Sequence, residues 1–318
     1  MNTIPRASSI SSFPNFTIGS PFTVTISRHS SSFTHKLTLK AGSVVVKEVT
    51  GVGEEYTFNL TTAEQDKIYQ TIPNSTSHTM TLECQTYSGS TPVGSAVSKT
   101  ATATVPSSVV PDFDTILHSE YVSSVSTIVG RYVQGLSRLR LEITGATGAK
   151  YSTITSYQIT FEGKNYNSRT ATSDAIKGSG NLTITGKVTD SRGRTATKTA
   201  TVKVLPYSPP QITAFSLQRC DADGTPNMLG EYVKVKREGY VSSLLNVTEK
   251  NTLTYRIRSK QRDATSWTLV KSQTLTSLTL AGNEIIGTYS VTSSYDFRFE
   301  ITDVFNTTFV LDVLPTGK

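Results

Sequence analysis

The 318 residues are enough for two or three domains of ordinary size, each burying its own core. Charged residues make up 17% and hydrophobic ones 36%, and the net charge of +7 is scattered along the chain, a balance of thin two-sided β-domains that excludes a disordered polyelectrolyte. No apolar run is long enough to span a bilayer, and the opening residues lack the apolar core of a signal peptide, so nothing marks the chain as a membrane protein or an exported precursor.

In the first third, Phe22 to Ile26 alternates as a strand with its apolar residues on one face. Arg28 to Phe33 reads as a polar turn, and Leu37 to Leu39 and Val44 to Val46 as further strands. After a strand at Tyr56 to Leu60, Thr61 and Glu64 have capping-box spacing, predicting a short helix through Ile68 that ends before Pro73. Met80, Leu82 and Cys84 alternate into a turn at Tyr87 to Ser90, and the closing strand reaches Val105-Pro106.

The middle third begins after Pro111. Ile116 to Val133 fits neither period and reads as loop with strand pieces, whereas Leu136 to Ile143 and Ile154 to Phe161 are clear strands. Leu182 to Leu205 is a hairpin: Asp190-Ser-Arg-Gly193 supplies the turn, with an Asx residue opening it and a glycine free to take positive φ. Tyr207-Ser-Pro-Pro210 follows as a stiff, extended connector.

The last third starts with Ile212 and Phe215 to Leu217, strands are expected at Tyr232 to Lys236, Leu253 to Arg258, Trp267 to Val270, Leu275 to Leu280 and Tyr295 to Ile301, and after a turn at Thr302 to Asn306 the final strand reaches Leu314-Pro315. The final hairpin repeats the middle one. Asp303 matches Asp190, Asn306 matches Gly193, and Leu311 and Val313 before Pro315 match Val202 and Val204 before Pro206. Ala101, Ala103 and Val105 in the first third are one residue out of phase, predicting a different register or a bulge there. The expectation is all-β: three tandem immunoglobulin- or fibronectin-III-like β-sandwiches spanning residues 1–107, 108–208 and 209–318, joined by short Pro-containing linkers.

Cys84 and Cys220 stand in different thirds, leaving no bridge within a domain. His29, His35, His78 and His118 lie in turns or at strand edges without metal-ligand spacing or a neighbouring nucleophile, so no catalytic, metal or cofactor site is expected. Asp221-Ala-Asp223-Gly224 resembles the start of a calcium loop, but Tyr232 holds the twelfth position, where a bidentate Glu belongs, and the segment reads as a turn. Arg192-Gly-Arg194 likewise reads as turn chemistry and not as an RNA-binding fragment. The strongest charge feature is a row in the last third: Lys234 and Lys236, with Arg256, Arg258 and Lys260, all alternate with apolar residues and would share one solvent-facing surface. Such a face would suit an anionic polymer such as teichoic acid or DNA, and is otherwise a solvated face that discourages edge pairing. Trp267 reads as a core residue, with a sugar-stacking platform as its functional alternative.

Several phrases, in order, resemble a family of siphophage minor structural proteins: Ile4-Pro5-Arg6-Ala7-Ser8, Arg28 to His35, Arg131-Tyr-Val-Gln-Gly-Leu-Ser137 leading to Ile143-Thr-Gly-Ala146, Tyr157-Gln-Ile159, Val188 to Arg194, and Arg219 to Thr225 with Gly230 to Val233. The resemblance implies a virion component of a phage of Gram-positive bacteria, part of a tail appendage, with no catalytic residues to carry over. Members of that family often carry a further region before the Ile-Pro-Arg phrase, so this chain is expected to be a short member or a fragment. Together these readings predict a non-enzymatic virion protein on the tail, head or neck, made in the bacterial cytoplasm. Its expected partners are other virion proteins and further copies of itself, with no membrane and no specific nucleic acid among them. The competing reading is a host-binding module that recognises a wall polymer or glycan through Lys234, Lys236, Arg256, Arg258, Lys260 and Trp267.

Overall fold

The computed structural model describes residues 6–317, so Ile4 and Pro5 of the opening phrase lie outside it. The first sandwich runs β1 (Ser9–Ser12), β2 (Phe16–Thr17), β3 (Phe22–Ser27), β4 (Phe33–Ala41), β5 (Val44–Val52), β6 (Glu55–Phe58), α1 (Thr62–Thr71), β7 (Ser77–Ser88) and β8 (Thr91–Thr104). One sheet is β1-β3-β6 and the other β2-β8-β7-β4-β5. The alternation of β3 puts Phe22, Val24 and Ile26 into the core, where Phe22 stacks on Phe58 with ring centroids 5.1 Å apart. The capping box forms: the Glu64 amide donates to the Thr61 hydroxyl and the Thr61 amide to the Glu64 carboxylate. The helix thereby starts where it can lay Ile68 and Tyr69 against the underside of the sandwich.

The second sandwich comprises β9 (Thr115–Glu120), α2 (Ser123–Val129), β10 (Tyr132–Val133), β11 (Leu139–Thr144), β12 (Ile154–Phe161), β13 (Lys164–Tyr166), β14 (Thr170–Thr172), β15 (Gly180–Asp190) and β16 (Thr195–Leu205), in sheets β14-β11-β9 and β10-β16-β15-β12-β13. The third comprises β17 (Gln211–Cys220), β18 (Tyr232–Tyr240), the small hairpin β19 (Leu245–Asn246) and β20 (Thr248–Glu249), β21 (Leu253–Gln261), β22 (Thr268–Leu275), β23 (Thr279–Leu280), β24 (Asn283–Gly287), β25 (Tyr295–Thr302) and β26 (Thr307–Leu314). Its sheets are β17-β18-β23, with β24 also on β18, and β22-β21-β25-β26.

The wiring is the same each time. The first and second long strands share one sheet with the strand that precedes the last hairpin, and the third long strand and the closing hairpin lie in the other; the third sandwich adds β23 to the first sheet and sets β19 and β20 apart as a pair. These are immunoglobulin-like sandwiches. Three separate clusters fill them, drawn from residues 13–105, 113–204 and 233–314. In the first two, a two-residue parallel strand also covers the free side of the closing strand: β2 on β8 and β10 on β16. The third has no such cover among the described residues.

Two expectations about local structure change. Within Ile116 to Val133 the chain forms β9, α2 and β10. The helix is a single stretch of poor helix formers, Ser123-Ser-Val-Ser-Thr-Ile-Val129, and what holds it is packing: Val125 and Val129, four apart, are both buried, and Gly130 closes it in the left-handed conformation at φ 67°. The strand overlay is also corrected. Leu311 and Val313 do not match the core-facing Val202 and Val204, because they lie on the outer face at 57% and 40% exposure while Leu314 is buried. The third copy therefore shares the phase of the first, where Ala101, Ala103 and Val105 face inward, and the middle copy is the one displaced. A register irregularity does occur in β7 and β8, between Cys84 and Thr86.

Candidate functional site

The hairpin turn at Asp190 to Arg194 stands on the end of sandwich 2 that faces sandwich 1. Asp190, 1% exposed, holds it shut: one carboxylate oxygen accepts the Arg192 and Arg194 amides at 3.0 and 2.9 Å and the other accepts the Ser152 hydroxyl at 2.8 Å. Gly193 supplies the positive φ of 76° that returns the chain. The turn then spends its side chains on the neighbour. The Arg192 Nε donates to the Ile72 carbonyl at 3.1 Å, while its remaining nitrogens turn back to the Ala149 and Lys150 carbonyls of its own sandwich. Arg194 donates to the carbonyls of Val105, Pro106 and Val109, and the Ser191 hydroxyl to that of Pro73 at 2.6 Å.

The acceptors on sandwich 1 and its linker follow the ends of α1 and β8, Ile72 and Pro73 after the first and Val105, Pro106 and Val109 after the second, and such chain ends need donors once covered. Beside them Lys150 pairs with Asp66 at 3.0 Å and lies over the Tyr69 ring. Burial pushes the Tyr69 hydroxyl up and the Arg192 guanidinium down from their ordinary values, and Arg192 is only 7% exposed. The linker is itself tied down, since Val109 packs against the core of sandwich 1.

The second joint uses the same turn position with different chemistry. Asp303 caps its own turn by accepting the Phe305 and Asn306 amides, both at 2.7 Å. In place of arginines the turn offers Val304 and Phe305, which pack with Leu244 against Val125, Val129 and Val133 of sandwich 2 and against Tyr207 of the linker. Tyr207 and Phe305 meet edge to face at 5.9 Å, and the Asn306 amide donates to the Tyr207 hydroxyl at 2.6 Å. Burial is the main reason the Tyr207 phenol is pushed up to about 12, with the Asn306 bond pulling the other way. At the rim, Asn246 donates to the Val129 carbonyl at 2.7 Å and accepts from Arg131 Nε at 2.9 Å. The helix that fits neither period is thus the floor of this joint.

The row of five cations is not a row. Lys234 and Lys236 lie on β18 and Arg256, Arg258 and Lys260 on β21, and these strands belong to opposite sheets whose core-facing residues pack together. The two groups therefore point to opposite sides of sandwich 3. Acidic neighbours also answer most of them: Lys236 pairs with Glu238 at 3.2 Å, Lys260 with Asp296 at 3.3 Å, and Arg258 with Glu300 at 3.4 Å. Arg298 lies 2.8 Å from the same Glu300 without its N–H aligned on the carboxylate. Trp267 is not in the core cluster but half-buried at the sandwich rim, with the Lys260 ammonium 5.6 Å from its ring. Asp221 and Asp223 form the expected turn, accepting from the Asn227 side chain and the Thr225 amide.

Among the described residues no group of His, Cys, Asp and Glu is placed to hold a metal, and no helix is long and apolar enough to cross a membrane. Residues 1–316 match the model of a family described as siphovirus protein of unknown function (DUF859). The chain belongs to that family. No curated protein matches it.

Among solved structures the chain is similar to three N-terminal domains of the bacteriophage RB49 highly immunogenic outer capsid protein (Hoc), at 13% identity over 96% of this chain and 95% of that one, with a TM-score of 0.33. It is also similar to domains A168–A170 of titin, at 10% identity over 98% and 99% of the two chains and a TM-score of 0.32. A third similarity is to the FN1–FN3 domains of chicken CNTN1, at 9% identity over 98% of each chain and a TM-score of 0.26. At these TM-scores none of the likenesses bears on what the chain does.

The phrases that carried the family resemblance have structural work in this DUF859 chain. Arg28 donates to the Ser31 and Phe33 carbonyls and to Glu54, and His35 bonds the Val52 and Gly53 carbonyls from a fully buried position. Arg219, 6% exposed, reaches five carbonyls at the far end of sandwich 3, those of Gly230, Tyr289, Ser290, Ser293 and Pro315. Arg131 and Arg192 belong to the two joints. The missed signal was arginine in or beside turns whose neighbouring segments end in unpaired carbonyls.

Proposed function

We propose that the chain is a non-enzymatic structural component of a siphophage particle, a tail-associated appendage in which three sandwiches are held end to end as a stiff spacer. The observation that carries the reading is the first joint: a buried arginine and its neighbours in the turn of one sandwich are committed to backbone carbonyls of the next. A hinge between independent modules would leave both surfaces hydrated. Membership of a siphovirus family supports the virion setting, and the resemblance of the phrases favours the tail over the head or neck. Other virion proteins and further copies of the chain are the partners this role requires, after synthesis in the bacterial host.

Binding of a wall polymer through the basic residues has no observation in its favour, since the five cations are divided between two faces and largely paired. Purified particles analysed by mass spectrometry and electron cryomicroscopy test the proposal. The chain should be present in stoichiometric copy number, with three bead-like densities in line. A protein abundant in infected cells and absent from purified particles would sink it.

A further inference from the structure

The closing strand of the third sandwich is a sheet edge with no strand laddered on its free side, and we propose that two copies of this chain join there, β26 against β26 and antiparallel. In sandwiches 1 and 2 the corresponding strand is covered on its free side by β2 or β10. Nothing among the described residues ladders with β26 except β25; β17 runs beside it in the opposing sheet but pairs only with β18.

Open edges are ordinarily blunted by lysine, proline, a bulge or a short strand. The opposite edge of the same sheet, β22, carries both Lys271 and a register irregularity. β26 carries none of these, its one protective feature being the half-buried Asp312 on the inward parity: Thr307 to Leu314 contains no basic residue, proline or glycine, and pairs with β25 in unbroken register. Its outer face shows Phe309, Leu311 and Val313 at 51%, 57% and 40% exposure.

The segment is complementary to itself, which selects a second copy as the occupant. With a twofold axis through Leu311, Phe309 faces Val313 of the copy, an aromatic and β-branched pair of the kind that stabilises sheets. Asp312 faces Val310, so the two carboxylates are not directly opposite but stand as diagonal neighbours about 7–8 Å apart on the inward face. The nearest like charges on the outer face, Arg298 and its copy, stand three strand spacings apart, about 14 Å, beyond the screening length of about 8 Å at physiological salt. An eight-residue edge stays under the roughly 1,200 Å² at which stable interfaces begin. The dimer is therefore weak in solution and driven by local concentration, as in an assembly.

Sedimentation equilibrium of the full chain, from low micromolar to near-millimolar concentration, should show a monomer–dimer equilibrium. Leu311→Lys should weaken it roughly tenfold or more, because two ammonium groups would face each other across the axis. The Trp267 unfolding midpoint should hold, since position 311 is exposed. In parallel, Leu311→Cys should form an intermolecular disulfide faster than Leu269→Cys, a control at 48% exposure on the other edge. A chain that stays monomeric throughout, a dimer indifferent to Leu311→Lys, or equal crosslinking of the two cysteine variants would each overturn the proposal.

Discussion

Replacing Arg192 by alanine should unfasten the first joint without touching the third sandwich. Across the joint the Ile72 carbonyl loses its arginine donor, and within sandwich 2 so do Lys150 and Ala149, the last keeping the Ser152 amide and hydroxyl; a hydrogen bond to a charged donor contributes about 1.5–3 kcal/mol net. The guanidinium also no longer has to be desolvated, the burial that holds its pKa below the ordinary value. Water reaches the Ile72 carbonyl once the sandwiches part, and Ser152 still serves Ala149, so the loss stays below the sum of three such bonds. These opposing effects leave an expected destabilisation of about 2–4 kcal/mol. The assay exploits the position of the lone tryptophan: Trp267 lies in sandwich 3, so its fluorescence reports that unit alone, while far-ultraviolet circular dichroism reports all three. In urea, the dichroism transition should gain an early component and the fluorescence midpoint should stay where it is. Small-angle scattering should change from that of a stiff particle to that of a hinged one, and Arg192→Lys should recover only part of the difference, because a compact ammonium cannot span three acceptors. If both the dichroism transition and the scattering profile of Arg192→Ala matched the wild type, the clasp would contribute nothing and the reasoning would be refuted.

Phe305→Ala should loosen the second joint by about 2–3 kcal/mol, somewhat less than a fully buried aromatic would lose, with the change visible as hydrogen exchange in α2 and Tyr207. Arg219→Lys should lower the Trp267 unfolding midpoint by an amount equivalent to about 2–4 kcal/mol, since five carbonyls cannot share one ammonium; an unchanged midpoint would count against it. Tyr207, raised from 10 to about 12 in the folded chain, contributes stability that is fully present below about pH 10 and lost as the pH climbs through 12. A phenolate absorbance titration should lose its component near pH 12 in Tyr207→Phe.

Alternation made the sandwiches legible. Phe22 to Ile26, Met80 to Cys84, Leu182 to Val188 and Phe297 to Ile301 each face inward on the parity their apolar residues announce. The same rule could not say which of two layers a strand joins. Lys234 and Lys236 alternate in the same way as Arg256 and Arg258, yet look out of opposite sides of the sandwich. It also failed at β26, where Phe309, Val310, Leu311, Val313 and Leu314 are apolar on both parities, so that only the sheet decides the buried set. Helix α2 was hidden for a related reason: two valines four apart among β-branched residues give neither period, and its support comes from a neighbouring sandwich. The first joint was hidden more deeply. A polar turn is expected to face water, and nothing local to Asp190-Ser-Arg-Gly-Arg194 announces the carbonyls that await it beyond residue 70 and beyond residue 104.

The two joints occupy one position in the repeated plan but are cut to different keys. An arginine clasp meets an underside rich in unpaired carbonyls, and an apolar knob meets an apolar socket. Transposing the sandwiches would set Phe305 against the carbonyls of Ile72 and Pro73, and Arg192 against Val125 and Val129, leaving acceptors dry in one case and a cation in grease in the other. The order of the modules is thus written into their ends. A recombinant that shuffled them would keep three sound sandwiches and lose the line they form.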